Sequence, residues 1–139
     1  MALRVRQVMT AKPLALPAGT TLVEAARTMR EEQASDVLVY DYGSLRGVVT
    51  NRDVSVRAVA EGFDPSSTSL AEVCSRPLLT VAPDDTVEMA ADLMRQRGVR
   101  RLAVVEDDGA VGIVSLNDLV HFDLESALVE ATAALPDPG

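Results

Sequence analysis

The feature that most constrains this chain is a repeat. Residues 47–53 read GVVTNRD and residues 112–118 read GIVSLND, 65 positions further on. The same offset runs on without a gap. Val8 falls on Val73, Leu14 on Leu79, Thr21 on Thr86, Ala25 and Ala26 on Ala90 and Ala91, Met29 and Arg30 on Met94 and Arg95, Val39 on Val104, and Val49 on Val114. A supersecondary unit that occurs twice is usually one that cannot bury its apolar face alone and packs against its copy. The chain therefore reads as two repeats, 1–66 and 67–139, within the length of one ordinary domain.

Local patterns fill in each copy. Residues 5–10 form a short amphipathic turn, and 14–16 a strand-like entry. Thr20 or Thr21 caps a helix, with Glu24 placed to complete a capping box on Thr21. That helix buries Leu22, Ala25, Ala26 and Met29, the i, i+3, i+4, i+7 stripe of one face. Residues 37–40 and 45–50 read as strands joined by the polar turn 41–44. A helix over 52–60, apolar on several sides, ends at Gly62. Residues 63–69 are the linker. The second copy repeats the plan: a turn at 70–75, a strand entry at 79–81, and a helix capped by Asp85 with Glu88. That helix buries Val87, Ala90, Ala91 and Met94 and stops at Gly98. Strands at 102–106 and 110–115 follow, around the turn 107–109. A closing helix starts at 117–122 and extends through 126–134. The fold class is α/β (α+β), two β-α-β-β-α repeats about a pseudo-twofold axis.

The doubled motif carries the chemistry. A β-branched strand that ends on Thr50 or Ser115 and turns at once into a helix presents a hydroxyl and the first helical N–H groups. Asp53 and Asp118 stand one turn into those helices and face the same opening. A hydroxyl and N–H groups suit a phosphate, and a carboxylate suits the paired hydroxyls of a ribose. The same residue types also favour simple helix capping. The residues support both readings equally.

With these residues in place, the sequence resembles a tandem pair of cystathionine-β-synthase (CBS) domains, the unit called a Bateman module. The resemblance rests on the doubled G-h-h-[T/S]-x-x-D motif (h apolar), on VRRLAVVE at 99–106, and on the helix entries at 20–29 and 85–94. It spans nearly everything from Val5 to Phe122, and TNRDVSVRAVAEGFDPSS resembles small stand-alone bacterial members. The resemblance implies ligand clefts between the repeats that take AMP, ADP, ATP or S-adenosylmethionine. Thr50 and Ser115 would meet the phosphate side, and Asp53 and Asp118 the ribose. It also implies that Arg100 and Arg101 reach toward phosphate. Their counterparts in the first copy are Ser35 and Asp36, and an aspartate there repels phosphate. Lys12, the single lysine, lies near the strand entry and is a weaker candidate.

Other functions find little support. His121 is the sole histidine and has no Cys or second His at a metal-ligand spacing. Cys74 falls on Met9 across the repeat and reads as a small core residue; one Cys also rules out an intrachain disulfide. No Walker loop or GxGxxG motif occurs, so an enzyme is not expected. A formal charge of −8 repels nucleic acid and anionic membranes. The aromatic residues are only Tyr40, Tyr42, Phe63 and Phe122, too scattered for base stacking. No apolar run reaches the length of a membrane span and the N-terminus lacks an apolar signal core, so a cytoplasmic protein is expected. The helix at 52–60 needs a partner surface, which a homodimer would supply. The chain thus reads as a regulatory sensor of an adenosine ligand acting on an unknown protein target. The alternatives are a ligand-free dimeric stress-response scaffold or interaction protein, and a detached regulatory subunit of an enzyme or transporter.

Overall fold

The computed structural model describes residues 3–74, 78–107 and 109–121. In chain order the elements are α1 (Val5–Val8), β1 (Thr10–Ala11), β2 (Ala15–Pro17), α2 (Leu22–Glu32), β3 (Asp36–Asp41) and β4 (Ser44–Thr50). Next come α3 (Asn51–Asp53), which runs into a π-helical stretch (Val54–Val59), then α4 (Leu70–Val73), β5 (Thr80–Val81), α5 (Val87–Arg97), β6 (Arg101–Glu106) and β7 (Gly109–Ser115). Residues 116–121 are helical. The fold is mixed α+β, and both repeats share the core succession of a strand, a helix, two strands and a helical turn. The closing helix expected beyond Phe122 lies outside the described residues.

The chain divides into two compact units, Lys12–Leu78 and Met1–Ala11 with Leu79–Gly139. In the first, β2, β3 and β4 make a three-stranded sheet with β2 parallel and β4 antiparallel to β3. Tyr42 and Gly43 close the hairpin with φ of 52° and 78°. Two left-handed residues in a row give the turn whose twist matches that of the flanking strands. On the sheet, α2 packs Leu22, Ala25 and Met29 against Val37, Val39 and Val49. Thr21 caps α2 by accepting from the Glu24 N–H at 3.2 Å. The Glu24 carboxylate, however, takes the Thr21 hydroxyl at 3.1 Å, so the expected reciprocal box does not close. Ala26 is exposed, because it lies about 100° round the helix from Ala25. Leu70 and Val73 of α4 are fully buried in this same core, together with Cys74.

The second unit has a four-stranded sheet in the order β1-β7-β6-β5, with α5 packed on it through Val87, Ala90 and Met94. The N-terminal arm completes it. Val5 is fully buried in its core, the Val5 N–H donates to the Asp85 carbonyl at 2.8 Å, and the Val87 N–H donates to the Leu3 carbonyl at 2.9 Å. Strand β1, absent from the expected plan, pairs antiparallel with β7 through Thr10–Ile113 and Ala11–Gly112. A Cβ on Gly112 would lie 2.5 Å from Met9 Sδ and 2.9 Å from the Thr10 carbonyl oxygen, so the motif glycine is needed for this close approach. The cap of α5 is Thr86, whose hydroxyl accepts from the Met89 N–H at 3.1 Å. Asp85, the expected cap, instead accepts from the Ala82 N–H at 2.8 Å and closes the preceding turn.

Both hairpins carry a bulge at the same repeat position, after Val39 and after Val104. Below the bulges the pairing is regular, so each motif strand enters its helix in the same register. Leu38, Val48, Ala103 and Ile113 are buried as well as the core-facing residues. The central strands are therefore apolar on both faces, which is why they read as continuous runs.

Candidate functional site

Each motif is built at the end of the last strand of its hairpin. In β4 the strand delivers Thr50, 6% exposed, to the N-cap of α3. The Thr50 hydroxyl accepts from the Asp53 N–H at 3.1 Å, and the Asp53 carboxylate Oδ2 accepts from the Thr50 N–H at 2.9 Å. The second copy has the same box: Ser115 Oγ accepts from the Asp118 N–H at 3.1 Å, and Asp118 Oδ2 accepts from the Ser115 N–H at 2.9 Å. Capping, the simpler reading of these residues, is thus realised in both copies. The boxes leave the hydroxyl's own proton and the second carboxylate oxygen, Oδ1, outside the capping pair.

The copies differ in what stands across the strand. Asp36 pairs with Thr50 in the β3–β4 register, whereas Arg101 pairs with Ser115 in the β6–β7 register. Cross-strand partners share one face of the sheet, so an acidic residue stands across the strand from Thr50 and a basic one across from Ser115. Arg101 is half-buried. Arg100 is exposed, and its carbonyl accepts from the Leu116 N–H at 2.8 Å. Lys12 is exposed at a left-handed φ of 52°, immediately before Pro13. It stands in the same unit as Thr50 and Asp53, while Arg100, Arg101, Ser115 and Asp118 belong to the other.

One residue at the first motif was not foreseen. Arg57 Nε lies 3.7 Å from Asp53 Oδ1. The i,i+4 spacing of the two residues in a helical segment is the signal that could have found it. Next to this motif a groove of about 360 Å³ is lined by Ala26, Met29, Arg30, Ala34, Asn51, Val54 and Ser55. Neither Thr50 nor Asp53 lines it. His121 is exposed on the helical segment after β7, and Cys74 is buried. Among the described residues no group of three or more His, Cys, Asp or Glu is arranged to hold a metal ion. No helix there is long and apolar enough to cross a membrane.

Comparison with known proteins agrees with this architecture. The model of the CBS domain matches residues 5–58 and 70–125. The chain belongs to the CBS-domain family and carries the domain twice. It is 36% identical to the CBS domain-containing protein YhcV of Bacillus subtilis over 115 residues, covering 83% of this chain and 81% of that protein. Hypoxic response protein 1 of Mycobacterium tuberculosis is 28% identical over 134 residues, covering 96% of this chain and 94% of that one. A solved structure of a hexameric CBS-CP12 protein from bloom-forming cyanobacteria superposes with a TM-score of 0.78 at 25% identity, over 96% of this chain and 82% of that one. Stand-alone CBS pairs are typically regulatory rather than catalytic modules.

Proposed function

We propose that this CBS pair is a non-catalytic cytoplasmic sensor that binds an adenosine compound, AMP, ADP, ATP or S-adenosylmethionine, at its doubled motif and acts as a homodimer on a protein target. The observation that carries the reading is the pair of matching motifs. Both hold an aspartate by one oxygen at 2.9 Å and turn the other out of the capping pair. A carboxylate whose orientation is already fixed can accept the two hydroxyls of a ribose without a further ordering cost. Arg101, across the strand from Ser115, supplies the charge for a phosphate, with Arg100 beside it. At the first motif Asp36 opposes that charge, and Lys12 is the weaker cation in that unit. The aliphatic strand residues around each motif offer an apolar bed for the adenine ring.

Self-association is supported by the exposed apolar residues of the helical segment after the first motif and the turn that follows it. Val56, Val59 and Phe63 are 50%, 62% and 45% exposed, and large apolar side chains clustered in water mark a contact surface. The CBS-CP12 relative is itself hexameric. The test is calorimetric titration of the full chain with AMP, ADP, ATP, S-adenosylmethionine and adenosine. Saturable binding that Asp118→Ala weakens supports the sensor. A chain that binds none of them, while still forming dimers, is the ligand-free scaffold, which the closed capping boxes also fit.

A further inference from the structure

The two motifs differ in a second way, in the turn that follows the aspartate. After Asp53 the chain is π-helical, with the Ala60 N–H donating to the Ser55 carbonyl at 3.0 Å and the Phe63 N–H to the Ala58 carbonyl at 2.9 Å. A π-helical turn is less stable than an α-helical one and recurs at functional sites. Arg57 sits within it. Its guanidinium stands between two groups, with Nε 3.7 Å from Asp53 Oδ1 and Nη1 3.5 Å from the carbonyl oxygen of Val73. Val73 is the last residue of α4, and the chain leaves this unit five residues later. Carbonyls at a helix end have no partner within the helix, so a guanidinium there is favourable. The position 65 residues beyond Arg57 is Phe122, so the second motif has no cation at this place in the sequence.

We infer that Arg57 is a positioning residue of the first motif. It holds the outer oxygen of Asp53 and ties that carboxylate to the end of α4, so that whatever engages Asp53 also loosens the end of α4. Arg57 thereby tunes the ligand site proposed above, and only the ligand-dependent part of this role rests on that reading. A ribose hydroxyl that takes Asp53 Oδ1 competes directly with the guanidinium. With Asp53 no longer orienting it, the half-exposed guanidinium regains its rotamer freedom, and the already long 3.5 Å contact with the Val73 carbonyl weakens. Both contacts are long and the Arg57 side chain is 52% exposed, so the coupling is a several-fold effect rather than an all-or-none switch.

The molecule carries its own reporter. Cys74 directly follows Val73, is buried, and is the single cysteine of the chain. Its rate of reaction with an aromatic disulfide reagent, under native conditions in the full chain, reads the opening of the α4 end. Arg57→Gln is expected to raise that rate two- to fivefold. Asp53→Asn, which keeps an acceptor for the Thr50 N–H but removes the charge holding Arg57, should raise it similarly. The double variant should match either single one, and Arg57→Lys should recover part of the protection. Thr86→Ala, a helix cap lost in the other unit and outside both motifs, should leave the rate within error. A parental rate in Arg57→Gln overturns the inference. So do effects that multiply in the double variant, since a general loss of stability acts that way. Where AMP binds the parent, it should raise the rate there and not in Arg57→Gln; equal responses overturn the inference. If AMP does not bind the parent, the sensor reading fails, and the four-variant comparison without ligand alone decides the role of Arg57.

Discussion

Replacing Gly112 by alanine puts the fold to a direct test. The φ of Gly112 is outside the left-handed range, so an alanine is not excluded by its own backbone, and on entropic grounds it would stabilise by about 0.4–1 kcal/mol. The space is the obstacle. The new methyl would meet Met9 Sδ at 2.5 Å and the Thr10 carbonyl oxygen at 2.9 Å. Met9 is a flexible side chain and can swing aside. Thr10 cannot, because it is backbone of β1, held to β7 by the Thr10–Ile113 and Ala11–Gly112 pairs. Overpacking against fixed backbone costs about 1–3 kcal/mol, so a net loss of roughly 1–2 kcal/mol is expected after the entropic gain. Urea unfolding followed by circular dichroism, with unchanged m-values, measures it. Met9→Ala in the Gly112→Ala background should recover only part of the loss, since the carbonyl contact remains. Gly19→Ala serves as the control: nothing lies within 4 Å of its added methyl, so it should be neutral or slightly stabilising. If Gly112→Ala is as stable as Gly19→Ala, β1 does not lie against the motif strand as described.

Three further outcomes are expected. Thr50→Ala and Ser115→Ala each remove half of a capping box and should each destabilise the chain by about 1 kcal/mol in the same urea assay. If an adenosine phosphate binds, Arg101→Ala should weaken AMP by on the order of 1.5–3 kcal/mol, roughly ten- to a hundredfold, with little effect on adenosine, whereas Asp118→Ala should weaken both. Equal losses of AMP and adenosine on removing Arg101 would show by calorimetry that it is not a phosphate contact. The double substitution Val56→Asp, Val59→Asp should turn a dimer into a monomer by light scattering at micromolar concentration; a parent that is already monomeric refutes the dimer.

Much of this fold was legible in the sequence because its signals are local. The apolar stripe of α2 and α5, and a glycine and an aspartate at fixed places around a β-branched run, each lie within a few residues, and their recurrence 65 positions on shows as an ungapped match. The register that sets Asp36 across from Thr50 and Arg101 across from Ser115 was not among these local signals; it appears only once the strands are paired. What was not legible depends on competition or on distant partners. Asp85 and Thr86 are adjacent candidates for one cap, and the choice falls to Thr86 because the Ala82 N–H draws Asp85 away. Strand β1 has two residues and exists only because β7 offers an edge. The π-helical turn has no residue signature of its own, and Arg57 meets the Val73 carbonyl across 16 positions of sequence.

The N-terminal arm has a consequence for the order in which the protein can fold. Lys12–Leu78 is a continuous stretch whose core residues are all present once Leu78 has been made. The other unit is not continuous. Val5 and β1 are made before their partners: the Asp85 carbonyl that holds Val5 and the β7 strand that pairs with β1 are synthesised about eighty to a hundred residues later. Because domains close as units during synthesis, the arm must wait, unpaired, while the stretch behind it folds. Its long-range pairing also raises the entropic cost of the last step. A deletion of residues 3–11 should therefore leave Lys12–Leu78 able to form on schedule and strip the later unit of its outer strand.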